Sequence, residues 1–157
     1  MDLNRSQIEQ ALIGRINQLH RSYRRMLDRA LAVHGLSAAQ ALPVIFISRL
    51  GDGVRQGVLA EQLGIEGPSL VRQLDQLQDA GLVERRDDPN DRRAKGLYLT
   101  EAGRALAGRT EILLGDLRQS MLKGASDHDL AIALRVLREF EQAVLSAMDH
   151  PPSPGNG

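Results

Sequence analysis

Ser69, Arg72, Gln73 and Gln76 recur at three- and four-residue steps, so a single helix would carry them on one side. Ser and Gln both donate and accept hydrogen bonds, and Arg can grip a guanine edge with two parallel bonds. That chemistry suits a DNA groove. Further along, Arg92, Arg93 and Lys95 crowd the polar run Asp87–Lys95, with Asp91 able to brace a neighbouring arginine. An arginine at a loop tip can enter a narrow A·T-rich minor groove, where the potential is most negative. The helix alone reads equally well as a polar surface of a small α+β unit. Helix and loop together favour DNA.

Other chemistry is poorly represented. The chain has no cysteine, which removes disulfides, thiolate metal sites and thiol redox sensing. His20, His34, His128 and His150 are scattered, and His128 between Asp127 and Asp129 reads as a helix-start segment, because consecutive helical residues point apart. There is no nucleophile–base pairing and no phosphate-binding loop; His20 near Tyr23 is the one arguable pair. We therefore expect no enzyme activity, no metal and no cofactor.

The charges balance, with 20 Lys and Arg against 20 Asp and Glu. Neutrality does not advertise a nucleic-acid binder, and it supports the alternative of a winged-helix protein-interaction module without sequence-specific DNA binding. Apart from Lys95 and Lys123 every cation is arginine, which pairs with phosphate in a two-pronged way, although genome composition produces the same bias. The longest apolar run, Ala41–Ile47 including Pro43, falls short of the roughly 20 residues a membrane span needs. The N-terminus lacks a signal-peptide pattern, and a cytoplasmic location is expected.

The elements that must position these residues follow from the pattern of apolar residues. With 157 residues, 42% of them hydrophobic and only 3% aromatic, the chain fits one unit whose core is built from Leu, Ile, Val and Ala. Ile8, Leu12, Ile16, Leu19, Tyr23, Leu27 and Ala30 predict a long helix from Arg5 to about Val33, closed by Gly35. Ser37 caps a second helix to about Leu50, which Pro43 should bend or whose start it should shift. A short helix over about Gln56–Leu63, a left-handed turn at Gly64 and a helix over Pro68–Ala80 follow, with Leu70, Leu74 and Leu77 inward. Strands at Leu82–Arg86 and Gly96–Leu99 enclose the long charged loop Asp87–Lys95. A helix opens at Thr100 and Glu101 and runs to about Leu122, with Leu106, Leu113, Leu117 and Met121 on its apolar face. A last helix, capped near Ser126 and Asp129, reaches about Met148 with Leu130, Leu134, Leu137, Val144 and Met148 inward.

This order predicts a mainly α fold with a small β-hairpin: a winged helix-turn-helix over 37–104, flanked by dimerisation helices at 5–36 and 105–149. Residues 1–149 form a single unit and 150–157 a disordered Pro/Gly-rich tail. The outer helices have few elements to pack against, so an obligate homodimer is expected, with a self-closed monomeric bundle as the alternative.

The stretch Gly64–Glu101, through PSLVR, LDQL, GL and DRRAK with an LT helix start, resembles the recognition helix and wing of the MarR family, and its SlyA-like branch in particular. A weaker resemblance covers everything but the tail. It implies a homodimeric transcription regulator, most often a repressor, on a pseudo-palindromic operator of double-stranded DNA. The recognition helix would occupy the major groove through Pro68, Ser69, Arg72 and Gln73. The wing would enter the minor groove through Arg93, oriented by Asp91, and Arg85 would contact the backbone. It also implies release by a small aromatic carboxylate, such as a salicylate, hydroxybenzoate or hydroxypyridine carboxylate, bound where dimer helices meet the winged unit. Family positions on the first helix match Arg21 and Arg24. Periodicity prefers Arg24, which borders the apolar stripe beside His20 and Tyr23, and Phe46 with Arg49 on the second helix would complete the site. A packed histidine at His20 and ordinary surface ion pairs at Arg24 and Arg49 are the plainer account of each residue taken singly.

Overall fold

The computed structural model describes residues 4–88 and 91–149, with the side chains of residues 88 and 91–94 outside the description. The expected disordered tail, 150–157, also lies outside it. The element order is α1 (Arg5–Ala32), α2 (Ala38–Leu50), β1 (Val54–Arg55), α3 (Gln56–Leu63), α4 (Gly67–Asp79), β2 (Val83–Asp88), β3 (Asp91–Leu99), α5 (Glu101–Leu122) and α6 (Asp127–Asp149). The chain is mostly helical with one small antiparallel sheet, as expected. Two compact units divide it at Leu113 and Leu114, within α5.

Local chemistry sets the helix starts. Asn4 with Gln7 and Ser37 with Gln40 form reciprocal capping boxes that satisfy free amides of α1 and α2. Pro43 neither ends α2 nor moves its start. The helix runs on because it is held from outside: Ala41, Leu42, Pro43, Val44, Ile45 and Ile47 are all buried. Gly64 closes α3 at φ 62°, the left-handed backbone that glycine adopts without penalty.

The first unit, up to Leu113, holds a core of Val44, Ile47, Leu59, Leu70, Leu74, Leu77, Val83, Leu97, Leu99, Leu106 and Ala107. Leu70, Leu74 and Leu77 are the inward stripe of α4, and burying each contributes about 1.5–3 kcal/mol. Thr100 ties the sheet to α5: its Oγ1 donates to the Gly81 carbonyl at 2.7 Å and accepts from the Gly103 amide at 3.0 Å.

The sheet departs from expectation in two ways. Its order is β1-β3-β2, so a third strand exists, pairing Val54 with Leu97 and Arg55 with Gly96. Two residues are too short for an alternation to show. The hairpin is also longer than the apolar pattern indicates. Pairing continues past Arg86–Gly96 through Asp87–Lys95 to Asp88–Asp91, with an irregularity between Asp87 and Asp88. The long loop is therefore mostly a two-stranded ribbon. Backbone ladders need no apolar side chains, and Asp87 faces Lys95 as an opposite-charge pair.

Little of the outer helices' apolar stripes is buried in the single chain. On α1 only Leu27 and Leu31 are buried, while Ile8, Leu12 and Leu19 are exposed. The buried residues of α5 are Gly103, Leu106, Ala107, Thr110 and Leu114, with Met121 exposed. No described residue of α6 is buried, and Leu134, Leu137, Val144 and Met148 stand 43–74% exposed. Of the stripe read as inward-facing only Leu130 is half-buried. No helix of the described residues is long and apolar enough to cross a membrane.

Candidate nucleic-acid interface

The inward leucines of α4 determine what its other side presents. Pro68, Ser69, Arg72 and Gln76 are exposed and Gln73 is half-buried. Pro68 sits in the first turn, where its missing N–H costs nothing. Ser69 and Arg72, on the first two turns, form a polar edge at the helix's N-terminal end.

The adjoining hairpin sorts its residues by strand alternation. Val83 and Arg85 lie toward α4, and Glu84 and Arg86 on the opposite side. Arg85 Nη1 donates to Asp75 Oδ1 at 2.6 Å and to Gln78 Oε1 at 3.1 Å, so this guanidinium is engaged by α4 itself. Asp75 and Gln78 were not among the predicted site residues. Their signal was available only in retrospect: two acceptors three apart on a helix followed directly by the strand that carries the cation. Arg86 bonds Glu84 Oε2 at 2.8 and 3.0 Å and stands 4.6 Å over the Tyr98 ring. The hydrogen bond to Glu84, and then its charge, hold that guanidinium above its ordinary pKa. Lys95 is exposed on β3. Asp91, Arg92 and Arg93 open β3 at the hairpin tip, and their side chains lie outside the described residues.

Of the residues expected around a small acid, the structure brings two together. Arg49 stands 5.7 Å from the Phe46 ring centroid and makes a forked pair with Glu111 of α5 at 2.7 and 2.8 Å. A cleft of about 330 Å³ opens beside this pair, lined by Ile45, Ser48, Arg49, Ala107, Gly108 and Glu111. A second, of about 220 Å³, is lined by His34, Leu36, Leu106, Arg109, Thr110 and Leu113. Neither is lined by His20, Arg21, Tyr23 or Arg24, which stand on α1, the first two exposed and the others half-buried. Glu111 and Arg109 lay outside the sequence reading because α5 shows only its apolar periodicity. Among the described residues no group of three or more His, Asp or Glu is placed to hold a metal.

Residues 34–94 match the model of the MarR family. The solved structure of the transcriptional regulator PA3341 is 34% identical, with 83% of this chain and 96% of that chain covered at a TM-score of 0.77. A Cys-to-Ser variant of MarR from E. coli, complexed with operator DNA, is 28% identical over 84% of this chain and 95% of that one, at a TM-score of 0.70. The transcriptional regulator SlyA, 19% identical over 85% and 93% of the two chains at a TM-score of 0.74, shares the fold.

Proposed function

The chain belongs to the MarR family of transcription regulators, and from that premise we propose that it is a homodimeric repressor of a pseudo-palindromic operator. The observation that carries this reading is the exposed Ser69–Arg72–Gln76 side of α4, fixed outward by the buried leucines behind it. In the proposal Arg72 reads a base edge in the major groove, Ser69 and Gln76 flank it, and the Arg92–Arg93–Lys95 tip follows the minor groove. The similarity to a MarR variant from E. coli solved with operator DNA supports binding to an operator. The apolar stripe of α6, uncovered in one chain, supports the dimer.

A mobility-shift titration on the gene's own upstream region tests this. Binding should be specific, and log affinity should fall against log salt with a slope of about −5 to −9 if roughly 6–10 phosphates are contacted. Binding no stronger than to random duplex removes the proposal. It would favour instead a protein-interaction module, the reading to which the balanced charge and the internally paired Arg85 and Arg86 lend support.

The effector in this proposal is a small aromatic carboxylate. Arg49 beside Phe46, at the rim of the 330 Å³ cleft, supports that class, and the acid would replace Glu111 on the guanidinium. Release of DNA requires the acid to bind the DNA-incompatible arrangement more tightly. A thermal-shift screen of hydroxybenzoates, with hits retested for DNA release, checks it. Hits that bind Arg49→Ala unchanged would place the site elsewhere.

A further inference from the structure

We propose that Arg85 is a positioning residue that sets the angle between the recognition helix and the wing, and not a contact to the DNA backbone. The inference rests on the DNA-binding reading above.

On the α4 side of β2, Arg85 stands between the buried Val83 and the exposed Asp87. Val83, two residues earlier on the same side, is buried in the core, and Leu97, opposite Arg85 in the ladder, is buried as well. Where the apolar core ends, the arginine side chain continues the contact with α4. Its Nη1 reaches Asp75 and Gln78, three residues apart on the same helix. The Arg85 side chain is 21% exposed, against 56% for Arg86 on the outer side. Among the described residues it makes the only side-chain ion pair between α4 and the hairpin. Beyond it the described part of the ribbon is held by its own ladder, Asp87 pairing with Lys95.

A major-groove helix and a minor-groove tip read the same duplex at once, and each fits only if the spacing between them is right. Arg85 held by Asp75 and Gln78 fixes that spacing before DNA arrives. The pair also explains why an acidic residue is carried on a helix that must approach phosphates. Asp75, although 55% exposed, is paired with Arg85 and is not left as a free negative charge.

The two roles predict opposite results for Asp75. Affinity for the upstream duplex would be measured across a salt series for the full-length protein, Arg85→Gln, Asp75→Asn and the double variant. If Arg85 positions, Asp75→Asn weakens binding about 3- to 10-fold although it removes a negative charge, and Arg85→Gln weakens it similarly. The salt slope stays unchanged in both, and the double variant loses no more than either single one. Arg85→Lys, which keeps the charge and one bond to Asp75, recovers part of the loss. If Arg85 instead contacts phosphate, Arg85→Gln flattens the slope by about 0.9 per contact, roughly 1.8 for a dimer, and Asp75→Asn binds as well as or better than the parent. That outcome overturns the proposal. Should Arg85→Gln fail to fold, Asp75→Asn and Arg85→Lys still separate the two results. Failure of the parent protein to prefer its own promoter would defeat the DNA-binding reading instead, and is read in the same titration.

Discussion

Gly103 lies where α5 leaves the sheet, and a Cβ added there would collide with the carbonyl oxygen of Leu82. Neither partner can yield: one is helix backbone, the other the chain that delivers β2, and Thr100 pins both. Gly103→Ala should therefore cost about 1–3 kcal/mol, measured by urea denaturation, whereas Gly108→Ala, with open space at its Cβ, should not destabilise. At the reading surface Arg72→Ala should cost about 1–3 kcal/mol in operator affinity, the loss concentrated at one base pair of each half-site. An unchanged affinity would remove Arg72 from recognition. The side that carries Arg72 was legible in the sequence because Leu70, Leu74 and Leu77 fix a helix's orientation by their spacing. The partner of Arg85 was not, because an ion pair between a helix and a later strand leaves no period behind.

At the scale of elements, the helix-turn-helix was readable and the wing only partly so. Gly64 is needed at positive φ, and the leucines behind it are needed for the core, so both leave a plain mark. The ribbon from Asp87 to Lys95 is held by backbone pairing between polar strands, and polarity alone reads as loop. The two-residue strand β1 is held by its neighbours: Gly53 donates to the Leu97 carbonyl at 2.9 Å, and a Cβ on Gly96 would come within 2.9 Å of Gly53 Cα. Strand pairing reaches to Asp88 and Asp91, close to the arginines that follow on β3. Arg93→Ala should accordingly weaken binding mainly on operators with A·T-rich flanks, compared by competition between duplexes that differ only there. Equal loss on every flank would argue against reading of groove width.

At the scale of the molecule, the sequence announced apolar stripes on the outer helices, for which it leads us to expect a partner subunit. No residue of α6 is buried, and Leu134, Leu137, Phe140, Val144 and Leu145 stand 37–49% exposed. The periodicity that a single-chain reading assigns inward is the same periodicity an interface requires, and the two part only when a structure shows which side is covered. A carboxylate placed in a paired interface would be desolvated without a partner. Leu137→Glu should raise the dissociation constant of the proposed dimer roughly 100-fold or more, followed by sedimentation, and DNA binding should fall with it. Retention of the dimer would direct attention to the exposed Ile8, Leu12 and Leu19 of α1.

If the proposed dimer forms through α6, the exposed side chains of that helix would also label any copy that has found no counterpart. A newly made chain would show them to chaperones and proteases until a second copy hid them, and removal of orphans would depend on how long that display lasted. Abundance would then be governed by encounter as well as by synthesis, which would penalise low expression more than in proportion.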